Sequence, residues 1–173
     1  MLGQLEEAAK DYMKAINFDS SLSISYNNLA SVKKKQGHNE EAIAYYTKAI
    51  NINPNYYIAY NNRGVAKYDI NNYTEAIADF NEAIRINPNY ALAFNNRGNA
   101  KYKLNMLLEA IEDYSKAINI DINYGYAYMN RGIIKELLRD DKGACEDWQK
   151  AAELGIENAK IFVKDQCKNY IKN

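Results

Sequence analysis

The sequence is poor in the residues that mark most functional sites. Its 173 residues include two cysteines, two prolines, one histidine and one tryptophan. Two cysteines, Cys145 and Cys167, cannot build the multiply bridged scaffold of a small secreted domain. Without a secretory segment they read as free thiols in a reducing, cytoplasmic setting, with a bridge between them as the lesser alternative. His38 has no second histidine or nearby cysteine, so neither a metal site nor a catalytic triad is expected around it. An excess of one charge is missing too. Lys and Arg number 22 and Asp and Glu number 22, which argues against nucleic-acid binding, where a basic excess is the rule. No apolar run approaches the ~18 residues of a spanning helix. The opening MLGQLEEAAKDYMKAI carries acids where a signal peptide carries bases. No phosphate loop, GxGxxG, GxSxG or carboxylate dyad occurs. These absences lead to the expectation of a non-enzyme without membrane, nucleic acid, metal or cofactor.

What the chain does contain is a period. Pro54 and Pro88 are 34 residues apart, and so are Gly64, Gly98 and Gly132. Frames beginning at Ser23, Tyr57, Ala91 and Gly125 give four consecutive repeats, 23–56, 57–90, 91–124 and 125–158. The fourth position is aromatic (Tyr26, Tyr60, Phe94, Tyr128) and the eighth is small (Ala30, Gly64, Gly98, Gly132). The twentieth is Ala42, Ala76, Ala110, Ala144, and the twenty-fourth is Tyr46, Phe80, Tyr114, Trp148. The twenty-seventh is Ala49, Ala83, Ala117, Ala151. The apolar residues of each repeat recur at i, i+3/i+4 in two stretches divided by a polar break. This predicts two amphipathic helices of about 12–14 residues. Proline stops the second helix. Ile122 and Ile156 stand in its place later, where softer stops are expected.

Period, two-helix unit and the small–Ala–aromatic–Ala–Pro pattern resemble the tetratricopeptide repeat (TPR). That resemblance implies an all-α fold, a right-handed superhelix (α-solenoid) of antiparallel helix pairs. It also implies a concave inner surface that binds proteins or peptides. The spacing agrees, since one helix pair buries too little surface alone and neighbours must stack. Residues 1–22 match only a second helix: Ala8, Tyr12 and Ala15 align with Ala42, Tyr46 and Ala49. Residues 157–173 read as a C-terminal capping helix, over 157–171, with Ala159, Phe162, Val163, Cys167, Tyr170 and Ile171 on one side. Lys160, Lys164, Asp165, Lys168 and Lys172 line the other. The whole chain, 1–173, is expected to be a single domain of this kind. Its start halfway through a repeat suggests a fragment of a longer array, a regulatory part of a larger protein, or a surface for self-association through the N-terminal helix.

Comparing the repeats with one another isolates the functional candidates. The sixth position is Asn28, Asn62, Asn96, Asn130, and the fifth is Asn27, Asn61, Asn95, then Met129. Asparagine is a middling helix former, so four recurrences mid-helix need a reason. Each amide offers two donors and an acceptor, enough to hold an extended peptide backbone. The sixth-position column resembles the asparagine ladder in the TPR superhelix of O-linked N-acetylglucosamine transferases. The alternative is that the asparagines bond within the helix or to the neighbouring repeat. The candidate peptide-binding set is Asn28, Asn62, Asn96 and Asn130 with Asn27, Asn61, Asn95, Asn99, Tyr68 and Tyr102. Some members of the family clamp the C-terminal carboxylate of chaperones with Lys, Asn and Arg. Here Asn27, Ser31, Asn62, Leu92 and Asn96 occupy those places and only Asn62 fits, so no chaperone-tail clamp is expected. The run Lys33-Lys34-Lys35 would bias that end toward acidic ligands.

A charged column stands apart. The seventh position is Leu29, Arg63, Arg97, Arg131 and the twenty-third is Tyr45, Asp79, Asp113, Asp147. The repeat lacking the arginine also lacks the aspartate, so the two are read as a partly buried pair that fixes hairpin geometry. Arg97→Ala is therefore expected to lower thermal stability more than it weakens any ligand. Unchanged melting with lost binding would overturn the pairing.

Overall fold

A computed structural model of the chain describes residues 2–168 and 170. Residues 1, 169 and 171–173, which the expected first and last segments include, lie outside the described residues. The helices are α1 (Leu2–Phe18), α2 (Ser23–Lys35), α3 (Asn39–Ile52), α4 (Tyr57–Asp69), α5 (Tyr73–Ile86), α6 (Ala91–Lys103), α7 (Leu107–Ile120), α8 (Gly125–Leu137), α9 (Asp141–Glu153) and α10 (Glu157–Gln166). No strand occurs among the described residues, so the fold class is all-α, built of helical repeats. The chain divides into two compact units, Met1–Pro88 and Asn89–Asn173. In the first, α1 packs on α2, and the hairpins α2/α3 and α4/α5 pack side by side. In the second, α6/α7 and α8/α9 do the same, and α10 lies on α9.

Each hairpin closes around one contact. The twenty-fourth-position ring, at most 1% exposed, lies on the eighth-position residue of its partner helix. A Cβ at Gly64 would come within 2.6 Å of Phe80, at Gly98 within 2.7 Å of Tyr114, and at Gly132 within 2.5 Å of Trp148. The alanines at positions twenty and twenty-seven are fully buried beside these rings. In α1 the aligned Ala8, Tyr12 and Ala15 are only half-buried.

Every first helix ends in a Schellman turn. The fifteenth-position residues Gly37, Asn71, Asn105 and Arg139 take φ of 86°, 63°, 60° and 65°. The next N–H reaches back five residues: His38 to Lys33, Asn72 to Lys67, Met106 to Lys101, Asp140 to Lys135. Glycine and asparagine suit this conformation, whereas Arg139 adopts it at a cost of about 1–2 kcal/mol.

The second helices correct the proline argument. The helix after which Ile122 replaces proline ends as sharply as the others: C-cap Asp121 has φ −132° and ψ 98°, against −128° and 92° at Asn53. The common device is a side chain. The Asn55 N–H donates to Asn53 Oδ1 (3.1 Å) and the Asn123 N–H to Asp121 Oδ1 (3.0 Å), an Asx turn that needs no proline. At Ile156 the stop is made by Gly155, whose φ of 87° completes another Schellman turn with the Ile156 N–H on the Ala151 carbonyl. The last helix also differs from expectation. It ends at Gln166, and Cys167, fully buried, is disulfide-bonded to Cys145. Neither cysteine is the free thiol the sequence suggested, so the thiol argument for a reducing compartment does not hold. No helix among the described residues is long and apolar enough to cross a membrane.

The charged column forms as a three-member cluster. Arg63 donates to both oxygens of Asp79 (2.9 and 2.6 Å), and Arg131 to both of Asp147 (2.8 and 2.6 Å). Arg97 does the same to Asp113. The eleventh-position lysine joins each: Lys67–Asp79 at 2.9 Å, Lys101–Asp113 at 2.8 Å, Lys135–Asp147 at 2.9 Å. Lys67 also meets Glu75 at 3.3 Å. The three aspartates are buried, so two cations and a bidentate bond offset their desolvation. Each guanidinium also lies over the fourth-position ring, 5.3–5.6 Å from its centroid. Arg63 reaches Thr47 of the preceding hairpin (3.0 Å), and Arg131 reaches Ser115 (3.0 Å). In the first repeat, buried Leu29 replaces the arginine. Tyr26 and Tyr45 stack there at 6.5 Å with Lys48 over both rings.

Tyrosines precede α4, α6 and α8 at their N-caps. Tyr56 packs on Ala49, Ile50 and Ala59. Burial raises the Tyr56 hydroxyl, and it pushes Tyr124, beside Tyr90, Asp121 and Tyr126, up to about 12. An unfolded tyrosine ionises near about 10. The stability that protonated Tyr124 contributes is thus complete below about pH 10 and is lost as pH rises through its folded value. Urea midpoints across this window should fall less steeply for Tyr124→Phe than for the parent chain. Equal slopes would show that Tyr124 ionises alike in both states.

Candidate functional site

The candidate residues all lie on first helices, and the helical 100° step separates their fates. Positions five and six are neighbours in sequence but face different surroundings. Asn27, Asn61 and Asn95 are buried, at 5%, 1% and 5% exposure, whereas Asn28, Asn62, Asn96 and Asn130 are half-buried. In the first unit α2 and α4 share a chain of amides. Asn27 Nδ2 donates to Asn28 Oδ1 (3.2 Å), Asn62 Nδ2 to Asn27 Oδ1 (3.1 Å), and Asn61 Nδ2 to Asn62 Oδ1 (3.4 Å). In the second unit α6 and α8 are joined by Asn130 Nδ2, which donates to Asn95 Oδ1 (3.0 Å) and Asn99 Oδ1 (3.1 Å).

This arrangement removes Asn27, Asn61 and Asn95 from the ligand-facing set. Asn27 and Asn95 bridge adjacent first helices and Asn61 bonds to its neighbour Asn62, because a buried amide needs its bonds met inside the protein. Asn99, half-buried, is partly spent: its Oδ1 accepts the Tyr114 hydroxyl at 2.8 Å besides the Asn130 amide. The sixth-position residues are partly spent. Asn62 gives one N–H and one lone pair to neighbours, which leaves one N–H for a ligand. Asn130 has both N–H groups committed and offers its carbonyl oxygen. The alternative of bonding to the neighbouring repeat thus applies to the column in part.

The sequence held a signal for Asn99 in the pairing of positions nine and twenty-four. Ser31 meets the Tyr46 hydroxyl at 3.0 Å and Asn99 meets that of Tyr114. Where the ring is Phe80 the ninth residue is Val65, and where it is Trp148 the ninth is Ile133. The aromatic hydroxyl and the polar ninth residue come and go together. Trp148 Nε1, opposite Ile133 in this scheme, is buried without a partner among the described residues.

Apolar groups border the asparagines. At position two, Ile24 is 63% exposed, Leu92 40% and Tyr126 61%, with Ile58 half-buried. Tyr102 is exposed at position twelve, and Tyr68 packs edge-on against Tyr73 at 5.2 Å. The lysine run contributes less charge than its sequence suggests. Lys33 meets Glu41 at 2.8 Å, and Lys34 meets Asp69 across the α2/α4 junction at 2.8 Å. The face of each unit is therefore amide-rich and apolar-edged, and in the first unit two of its lysines are paired.

Family models describe the chain at overlapping stretches. One for the tetratricopeptide repeat matches residues 23–56 and 91–124, a second of that description matches 45–78, and one for the TPR repeat matches 66–105. No curated protein sequence matches. Among solved structures, a crystal structure of MamA is 26% identical, with 91% of this chain and 92% of that chain covered at a TM-score of 0.80. The first TPR of Spaghetti (RPAP3), bound to the HSP90 peptide SRMEEVD, is 29% identical, covering 70% and 96% at 0.67. PilF of Pseudomonas aeruginosa, at 23% identity, covers 97% and 82% at 0.83 and shares the fold.

The division of labour between positions five and six is measurable. Asn27→Ala should cost about 1–3 kcal/mol in urea denaturation, because it strands buried donors and acceptors, and Asn28→Ala clearly less. Equal losses would mean that both amides serve packing alike.

Proposed function

Because the chain belongs to the tetratricopeptide-repeat family, a family of interaction and scaffold modules rather than catalysts in general, we propose that this protein–protein interaction module holds an extended peptide of a partner protein on the first-helix face of each unit. The observation that carries the reading is the exposed second-position column. Ile24, Leu92 and Tyr126 stay in solvent at one register of α2, α6 and α8. Apolar side chains repeated at one register beside polar amides are what an extended ligand needs.

The sixth-position asparagines supply the backbone contacts. Asn28, Asn62 and Asn96 bond to peptide N–H and C=O groups, and Asn130 accepts from an N–H. The second-position residues take the ligand's small apolar side chains, with Tyr68 and Tyr102 bordering them. Burying such groups contributes roughly 25 cal/mol per Å². The neutralised lysines favour an uncharged segment over an acidic one. The RPAP3 neighbour, whose ligand is the peptide SRMEEVD, supports peptide binding as the use of this fold. The departures from the chaperone clamp at Asn27, Ser31, Leu92 and Asn96 point to a different peptide chemistry here.

A peptide selected on an array can be titrated calorimetrically against Ile24→Asp, Leu92→Asp and Tyr126→Asp combined. These side chains are exposed, so the variant should melt as the parent does while affinity drops at least about tenfold, near 1.4 kcal/mol. Undiminished affinity in a folded variant would place the peptide elsewhere.

A further inference from the structure

The last helix is held differently from every other first helix. Helices α2, α4, α6 and α8 each run 13 residues and each bury at least four. Helix α10 runs 10 residues and buries only Ala159, with Cys167 buried at its C-cap. A helix that short is marginal without support. The stacking of Phe162 on Trp148 at 4.8 Å is its main ring contact.

Position twenty-one shows what compensates. It is Ile43, Ile77 and Ile111 in the first three repeats and Cys145 in the fourth. Ile43 packs on the cluster that includes Ala66 of the next first helix, and Ile111 on the one that includes Ile134. At the α9/α10 junction this dispersion contact is replaced by the covalent bond from Cys145 to Cys167. The bond itself is buried, with Cys145 2% and Cys167 0% exposed, and one of its cysteines borders a cleft. Cys145 forms part of the wall of an open cleft of about 340 Å³, together with Glu136, Asp141 and Trp148.

We propose that the Cys145–Cys167 bridge is a redox latch, and that its oxidation state decides whether α10 stays docked on α9. A dithiol opens it. One thiolate attacks a bridge sulfur to give a mixed disulfide, and the second thiol of the reagent resolves it. Two electrons and two protons pass to the protein, which gains two thiols, and the reagent leaves as its cyclic disulfide. Exchange with a small-molecule disulfide such as oxidised glutathione runs the latch in reverse, the two protein thiols giving up two electrons and two protons to yield two glutathione thiols. With the latch open, α10 keeps too little buried surface to remain in place, and the face of Trp148 that Phe162 covers becomes accessible. This inference is independent of the peptide-binding face.

Hydrogen exchange on the full chain, with and without dithiothreitol, tests it, with thiols counted in parallel. Reduction should lower protection in 157–166 by on the order of a hundredfold, the scale of opening a loop of this size. Protection in α6 to α8 should stay as it was, and oxidised glutathione should restore α10. Trp148 is the only tryptophan, so its emission should shift to the red on reduction. Cys167→Ser should match the reduced chain under both conditions. A fully reduced chain with unchanged α10 protection would overturn the latch. So would a native chain that dithiothreitol does not reduce, or a loss of protection that spreads through α6 to α8, which would make the bridge a staple for the whole unit.

Discussion

A ring laid on a residue without room for a side chain is the contact on which the rest depends. At Gly64, Gly98 and Gly132 the partner ring already occupies the place of a Cβ. That distance sets how near the two helices of a hairpin come. It leaves space for nothing larger than alanine at positions twenty and twenty-seven, which explains a core rich in alanine and poor in leucine and phenylalanine. A core of small residues gives modest transfer free energy per hairpin, so a hairpin needs its neighbours. The amide chain between first helices and the reach of Arg63 to Thr47 act at those junctions.

Charge follows from the same geometry. The aspartates at position twenty-three are buried, one residue before the ring, and each holds an arginine and a lysine. A formal charge of zero therefore conceals buried order. Part of the chain's charge is spent inside the hairpins and part in surface pairs such as Lys34–Asp69.

Much of this was legible in the sequence because a repeat acts as its own control. Period, helix pairs, small and aromatic columns and the Arg–Asp pairing could all be read by comparing positions. Three things resisted, each for a physical reason. Asn27 and Asn28 are alike in composition and differ only in which way the helix turns them, and the burial of an amide bridge depends on the neighbouring helix. The stop at Asp121 depends on a side-chain oxygen capping its own turn, a role proline seemed to hold. The bridge depends on two positions occupied by cysteine once each, where no second repeat offers a comparison. The ninth-position pairing was readable, but only by setting two columns against each other.

Arg63 has one further consequence, for cooperativity. Its guanidinium serves Asp79 in its own hairpin and Thr47 in the one before. Neither hairpin can open without unsettling a buried charge that belongs to the other. Such a group carries a nearest-neighbour coupling free energy, the quantity that decides whether a row of repeats melts as one or in pieces. The coupling is uneven. Between α1 and α2 the corresponding places hold half-exposed Met13 and buried Leu29, and apolar packing can loosen by degrees where a shared charge cannot. The seventh-position column, read from Leu29 to Arg63, thus marks where a graded junction gives way to an all-or-none one.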